Sequence, residues 1–189
     1  MKKIVIFASG SGTNAENVIQ YFATRNTGTV VAVFTNNPNA TVIDRAKKLD
    51  VPTVIFSKED LNTGKTLQLV IAYKPDLIVL AGFLLKFPEN IIEAYPNQII
   101  NIHPALLPKY GGKGMYGMHI HKAIVENKEK ETGISIHYVN ENYDEGNIIF
   151  QQNVFLSETD TPESVAEKIH ALEQQHFPEI IEKLLISNL

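Results

Sequence analysis

Short apolar segments alternate with amphipathic segments along most of the chain. Five apolar runs are typical of strands buried on both faces, and they span residues 3–8, 29–34, 51–56, 77–81 and 98–103. Helical patterns occupy the stretches between them, at residues 15–24, 41–49, 58–73 and 88–95, the third interrupted at 62–64. Strands that alternate with helices at this spacing predict right-handed crossovers and a doubly wound, mainly parallel α/β sheet.

The pattern changes in the last third of the chain. Two alternating segments, 133–139 and 148–155, are joined by the acidic eight-residue stretch 140–147. This arrangement predicts an antiparallel C-terminal hairpin at one edge of the sheet. A final helix starts at Thr161-Pro162-Glu163-Ser164, with proline at the first helical position, and we expect it to break at Pro178 and resume to the carboxyl terminus.

Length and composition narrow the class of protein. The chain has 189 residues, so we expect a single domain over residues 1–189. A net charge of −4 argues against a broad nucleic-acid groove, and the absence of cysteine excludes disulfides and thiolate metal sites. No segment approaches the roughly 20 apolar residues needed to cross a bilayer. These features predict a cytoplasmic protein without a membrane or nucleic-acid partner.

The strand at 98–103 ends in Asn101-Ile102-His103-Pro104. Because side chains alternate along a strand, Asn101 and His103 share one face at the carboxyl edge of the sheet, where open α/β folds bind ligands. An amide that can hold an oxyanion beside an imidazole that can move a proton suits acyl transfer. The alternative is a strand end whose polar residues only satisfy the backbone of a loop.

The first strand runs into the glycine-rich turn Ser9-Gly10-Ser11-Gly12-Thr13-Asn14, and a helix follows. This order favours an anion site, because backbone N–H groups and the helix dipole face the turn. The spacing fits neither the dinucleotide fingerprint nor a P-loop, and Asn36 and Asn37 stand where a dinucleotide site would have an acidic residue. The turn therefore predicts phosphate binding, with a tight βα connection as the alternative.

Two loops and a pair of histidines are the remaining candidates for a functional site. The glycine-rich stretch 111–117 is long enough to be functional or mobile, and the apolar side chains at 82–88 could line a slot for a flat ring. His119 and His121 begin a helix that continues to about Asn127. Residues two apart do not face the same way on a helix, so we interpret them as polar residues of a helix start rather than as metal ligands.

These motifs together resemble one family. The turn 9–14, the segment Leu80-Ala81-Gly82-Phe83, the stretch 101–110 and Asp144-Glu145-Gly146 occur in the order found in phosphoribosylglycinamide formyltransferases, and the resemblance covers essentially the whole chain. The wider folate-dependent formyltransferase family also includes enzymes that act on methionyl-tRNA and on sugar nucleotides. The Gly-Ser-Gly-Thr-Asn turn and the short length favour the purine-pathway branch.

The resemblance implies a Rossmann-like formyltransferase fold and an activity. The formyl group of 10-formyltetrahydrofolate would pass to the amine of 5-phosphoribosylglycinamide in de novo purine biosynthesis, with no metal. The partners would be these small molecules, and the protein would be a monomer or a homodimer. The alternatives are a sibling formyltransferase with another amine acceptor and a non-catalytic phosphate-binding Rossmann-like module.

Residue roles also follow from the resemblance, with the N-terminal part binding phosphate and substrate and the C-terminal part binding folate. The implied catalytic set is Asn101, His103 and Asp144, and His137 matches a neighbouring histidine. The implied substrate-binding residues are Gly12, Thr13, Asn14 and Glu173. The implied folate-binding residues are Lys58, Leu84, Leu85, Lys86, Phe87, Asn101, Asn140, Tyr143 and Asp144.

The implied mechanism gives each catalytic residue one task. Asn101 would donate to the oxyanion, His103 would protonate the leaving folate nitrogen or help to stabilise the oxyanion, and Asp144 would keep His103 protonated near neutral pH. The chain departs from the family pattern in its longer 111–117 loop, in Leu85 where arginine is common, and in Glu145 where glycine is common. These departures affect loop closure and folate contacts and leave the catalytic set intact.

Overall fold

A computed structural model describes residues 1–187 of the chain. Within those residues it forms seven strands and seven helices. The strands are β1 Lys2–Phe7, β2 Gly28–Thr35, β3 Thr53–Ile55, β4 Leu77–Leu80, β5 Ile99–His103, β6 Glu131–Tyr138 and β7 Ile148–Phe155. The helices are α1 Thr13–Ala23, α2 Val42–Lys48, α3 Lys58–Asn62, α4 Lys65–Tyr73, α5 Glu89–Ala94, α6 Met118–Glu126 and α7 Pro162–Ile186.

The strands form one sheet in the order β3-β2-β1-β4-β5-β6-β7. Strands β1 to β5 are parallel, whereas β6 is antiparallel to β5 and β7 is antiparallel to β6. The chain moves outward from β1 to β3 and then returns to the other side of β1, so the strand order switches direction between β1 and β4. A crevice opens at the carboxyl ends of the strands at such a switch. The predicted doubly wound sheet with its antiparallel hairpin is confirmed.

Each face of the sheet carries its own hydrophobic core. Side chains alternate along β1, so Ile4 and Ile6 pack in a core with α1, α2, α6 and α7, while Val5 and Phe7 pack on the opposite face with α3, α4 and α5. Phe7 lies at the centre of an aromatic cluster and contacts Phe87 edge to face at 5.0 Å between ring centroids. The helices on both faces leave the carboxyl ends of the central strands uncovered for a site.

The last helix corrects one prediction. The expected break at Pro178 is wrong, because α7 runs without interruption through this residue. Proline lacks one backbone N–H, but Phe177, Pro178 and Ile181 are all buried, so packing against the sheet holds the helix together. The final residues of the predicted helix, 188–189, lie outside the described part of the chain. No helix within residues 1–187 is both long and apolar enough to cross a membrane.

Candidate active site

Asn101 and His137 form a cross-strand pair on β5 and β6. The Asn101 amide Nδ2 donates to His137 Nε2 at 3.0 Å, and His137 Nδ1 lies 2.9 Å from the carbonyl oxygen of Tyr138. A carbonyl oxygen can only accept, so Nδ1 carries the hydrogen and Nε2 offers its lone pair to Asn101. The orientation of the Asn101 amide is therefore fixed, and its second N–H remains for another acceptor.

His103 ends β5 and is only 4% exposed. Its Nε2 donates to the carbonyl oxygen of Tyr110 at 2.7 Å, so in the neutral ring Nδ1 holds the lone pair. Nδ1 lies 3.6 Å from Asp144 Oδ2. A proton added at Nδ1 would therefore be placed beside a carboxylate.

Asp144 lies in the loop between β6 and β7 and contacts both histidines. Its Oδ1 is 3.6 Å from His137 Nε2, and its Oδ2 accepts a hydrogen bond from the Gly112 amide at 3.0 Å. Burial raises the pKa of Asp144, but the neighbouring His137 and His103 and the Gly112 N–H outweigh it and hold the pKa below its usual value. Asp144 is thus a carboxylate at neutral pH, with φ 57 in the left-handed region.

The expected direction of the pKa shift of His103 is wrong. Burial lowers the pKa of His103 by more than Asp144 and the Tyr110 carbonyl raise it. The imidazolium is therefore not kept populated near neutral pH, and the resting ring is neutral. Asp144 instead limits how far burial depresses the pKa, and it lies ready to stabilise a proton that arrives at Nδ1 during a reaction.

The glycine turn holds its shape through Gly12 and Arg45. Gly12 caps α1 with φ 74, and a Cβ at this position would lie 2.8 Å from Val42 Cα, so only glycine fits the turn. Arg45 donates from Nε to the Ser11 carbonyl oxygen at 2.9 Å and also pairs with Glu16. The first N–H groups of α1 point out of this turn, as an anion site requires.

Helices α1 and α7 bring two predicted substrate residues together. Asn14 Nδ2 donates to Glu173 Oε2 at 2.9 Å, although the two residues are 159 positions apart. His170 Nδ1 lies 3.8 Å from the same carboxylate oxygen, and the interaction with Glu173 raises the pKa of His170. A carboxylate, an amide and a histidine thus lie beside the glycine turn.

A cavity of about 730 Å³ joins these groups at the carboxyl edge of the sheet. Many of the predicted site residues line it: Gly12, Thr13, Asn14, Leu84, Asn101, His103, Tyr143, Asp144 and Glu173. A neighbouring hollow of about 60 Å³ shares some of them and adds further predicted residues, Leu85, Lys86, Phe87 and Asn140. Lys58, in the first turn of α3, lines neither space.

Comparison with known families gives the observation that decides the relationship. A family model described as formyl transferase matches residues 2–181, which include the whole sheet and the cavity. The chain belongs to the formyl transferase family. The resemblance carried by the motifs is therefore confirmed.

Curated relatives of this formyl transferase are named phosphoribosylglycinamide formyltransferase. The Bacillus subtilis protein is 33% identical over 191 residues, which is 98% of this chain and 95% of the relative. A chloroplastic protein from Arabidopsis thaliana is 34% identical over 187 residues and 95% of this chain. The chain spans 64% of that relative's length and 61% of a chloroplastic relative from Vigna unguiculata, so it corresponds to less than two thirds of either plant protein.

Solved structures share the formyl transferase fold. A phosphoribosylglycinamide formyltransferase from Bacillus halodurans is 35% identical with a TM-score of 0.88, covering 97% of this chain and 95% of that one. A glycinamide ribonucleotide transformylase from Geobacillus kaustophilus is 32% identical with a TM-score of 0.88, covering 98% and 99%. The predicted Rossmann-like formyltransferase fold is confirmed.

Several groups in the formyl transferase site were not predicted from the sequence. They are the Tyr110 carbonyl, the Gly112 amide, His121 and His170. His121 lies in the first turn of α6, as the sequence predicts, but its ring is buried and lines the cavity, which the sequence interpretation did not include. The expectation that it faces away from His119 is met, since His119 is exposed. Ile124, three residues later on the same helix face, was the signal that His121 points inward.

Ser9 connects the two halves of the site. Its hydroxyl donates to Asn36 Oδ1 at 2.6 Å and accepts from the Leu84 backbone N–H at 3.1 Å. The end of β1, from which the glycine turn starts, is thereby joined to the loop after β4. Among residues 1–187, no cluster of three or more His, Asp or Glu side chains is arranged to hold a metal ion.

Proposed function

We propose that this chain transfers the formyl group of 10-formyltetrahydrofolate to the amine of 5-phosphoribosylglycinamide, a step of de novo purine biosynthesis. One observation carries the proposal: a single cavity joins an anion-binding turn to Asn101, His103 and Asp144. A phosphate-binding module would need the turn but not the amide, imidazole and carboxylate beside it. The names of the relatives support the same acceptor.

The acceptor would lie between α1 and α7. The N–H groups that follow Gly12 would hold its phosphate, because the helix dipole and free amides favour an anion there. Glu173, fixed by the Asn14 amide, would accept hydrogen bonds from the ribose hydroxyls. The glycinamide amine would then point along the cavity toward Asn101 and His103.

The folate would enter from the other side. The segment 85–87 and the loop at 140–144 line the smaller hollow together with Asn101, and Leu84 lines the adjoining large cavity, so a flat ring could lie between the segment and the loop. Leu84 is 52% exposed and available for contact, whereas Phe87 is packed against Phe7 and supports the wall from the core. Lys58 as a contact for the folate tail stays a prediction that neither cavity supports.

The chemistry divides among three side chains. The amine attacks the formyl carbon, and the free N–H of Asn101 donates to the developing oxyanion. His103 Nδ1 accepts the proton from the attacking amine, and the imidazolium so formed is stabilised by Asp144 at 3.6 Å. His103 then gives this proton to the folate nitrogen as the C–N bond breaks, which releases tetrahydrofolate. Positioning of the two substrates supplies much of the remaining rate enhancement.

The setting of the activity follows from the same proposal. We propose that the protein works on small molecules in the cytoplasm as a monomer or a homodimer, without nucleic-acid or membrane partners. We also propose that the N-terminal part binds the acceptor and the C-terminal part binds the folate. The turn after β1 and the loop of the β6–β7 hairpin support this division. Helix α7 is the exception, because it lies in the C-terminal part and contributes Glu173.

A transfer assay tests the proposed function. The protein is mixed with 10-formyl-5,8-dideazafolate and phosphoribosylglycinamide, and release of the deformylated folate is followed by absorbance. We expect release that requires the acceptor, is abolished in His103→Ala and persists in His119→Ala, whose side chain is exposed on α6. Release without the acceptor would indicate a hydrolase. Release only with another amine, such as an amino sugar nucleotide, would indicate a sibling transferase.

A further inference from the structure

His121 is a buried histidine that the mechanism above does not use. The residues of α6 that point inward are Ile120, His121 and Ile124, and His121 is 6% exposed. Its Nδ1 is sealed from solvent and has no hydrogen-bond partner in the described part of the chain. Its Nε2 is not sealed in this way and also makes no hydrogen bond to a described residue. The ring lines the same cavity as His103 and Glu173.

An imidazole in this condition calls for an explanation. More than about nine in ten buried polar groups in proteins have a partner, and an unpartnered one destabilises the fold. An apolar side chain of similar size would fill the same space between α6 and α7 without that penalty. Nδ1 is enclosed and out of reach of a ligand, so the nitrogen that can gain a partner is Nε2, on the ring that lines the cavity.

The charge of His121 defines the kind of partner. Burial lowers the pKa of His121, and the nearby charge of Glu173 only partly opposes this effect. The ring is therefore neutral near pH 7 and has one N–H. With Nδ1 enclosed, the N–H is best placed on Nε2, where it can donate into the cavity to an oxygen atom.

The position of His121 defines which ligand this is. His121 lies on α6, which packs against α7 and therefore against the helix that carries Glu173. It is absent from the hollow formed by Leu85 to Phe87 and Asn140, where the folate ring is proposed to bind. The Nε2 of His121 thus belongs to the acceptor side of the cavity.

We propose that His121 is a binding residue for the formyl acceptor and that its Nε2–H donates a hydrogen bond to an oxygen of the ribose phosphate. The assignment rests on the proposed function for the identity of the acceptor. It adds a third contact to those of the glycine turn and Glu173, from a helix that neither of them occupies. Because the ring is buried on a helix that packs against α7, its donor is preorganised for the ligand.

The test compares three variants by the affinity for each substrate and by thermal stability. His121→Phe keeps the buried volume and removes both nitrogens, His121→Gln restores a donor near the position of Nε2, and His119→Gln is the exposed control on the same helix. In His121→Phe we expect the acceptor Kd and KM to rise by about tenfold or more, with little change in kcat or in the KM for folate. We expect its Tm to be unchanged or higher, and His121→Gln to recover most of the lost affinity.

A purely structural role for His121 would produce the opposite result. His121→Phe would then lower the Tm and leave the acceptor Kd unchanged, which would overturn the inference. Calorimetric titration with ribose 5-phosphate tests the His121 contact separately from the proposed function. If the protein shows no transfer but His121→Phe weakens the binding of ribose 5-phosphate, the proposed function fails and the contact stands. If ribose 5-phosphate binds equally to both proteins, the contact is wrong even when transfer occurs.

Discussion

Replacing Asp144 by asparagine removes one negative charge and little else. The shape of the side chain is kept, and the new amide oxygen can still accept from the Gly112 N–H. The backbone at Asp144 has φ 57, which asparagine also tolerates. The change therefore isolates the electrostatic effect of the carboxylate on His103.

The size of that effect follows from the 3.6 Å between Asp144 Oδ2 and His103 Nδ1. Two unit charges at this separation interact by about 5 kcal/mol at an effective dielectric constant of about 20. The asparagine dipole and local relaxation recover part of this energy, so we expect a loss of about 3 kcal/mol in the transition state and a fall in kcat of about a hundredfold. The affinity for phosphoribosylglycinamide should remain nearly intact, because Asp144 does not belong to the phosphate or ribose contacts.

Steady-state kinetics across pH tests this reasoning. The pKa of His103 is already below that of an ordinary histidine, and loss of the carboxylate lowers it further, so the ascending limb of kcat/KM should move to lower pH in Asp144→Asn. Asp50→Asn is the matched control, because Asp50 is exposed and has a similar φ of 56. A rise in acceptor Kd with unchanged kcat, or a limb that stays in place, would refute the role assigned to Asp144.

Three further changes probe the turn, the packing and the buried imidazole. Gly12→Ala should weaken acceptor binding at least tenfold, by about 1.4 kcal/mol or more, because the added Cβ would meet Val42 and displace the turn. Competition by phosphate measures this affinity, and an unchanged affinity would contradict the anion site. Tyr21→Phe should lower the free energy of unfolding by about 1 kcal/mol in urea titrations, since the hydroxyl donates to Glu182 at 2.6 Å. An unchanged free energy of unfolding would show that water replaces this contact. The lowered pKa of His103 means that the unfolded chain binds protons first, so this residue should reduce stability as pH falls below 6.5 toward the lowered pKa of the folded state. His103→Gln should flatten that part of the pH dependence, and an equal slope in both proteins would contradict it.

Much of the fold could be predicted because its signals are local. The buried runs and the hairpin alternation depend on residues close in sequence, and their predicted bounds lie within a few residues of those observed. The predicted break at Pro178 is wrong because a missing backbone hydrogen bond is local, whereas the core packing of Phe177 and Ile181 that compensates for it involves elements distant in the sequence. A sequence pattern does not show this contribution of tertiary packing.

The site shows the same limit. The placement of Asn101 and His103 on one face follows from alternation, but the pairing of Asn101 with His137 depends on the register between β5 and β6, which a long connection does not determine. The pKa of His103 was expected in the wrong direction because the ring is almost completely buried in the folded chain, and burial outweighs the carboxylate. A carboxylate partner is visible as a motif, whereas the degree of burial is a property of the folded molecule.

The Ser9 hydroxyl connects the two sides of the cavity through a pair of hydrogen bonds. It accepts from the Leu84 N–H on the folate side and donates to Asn36 Oδ1 beside the glycine turn, so the positions of the two sides are tied together. Linkage requires the coupling to be reciprocal: whatever factor the acceptor contributes to folate affinity, the folate contributes to acceptor affinity. Any free energy of cooperation between the two substrates is therefore one quantity, whichever of them binds first.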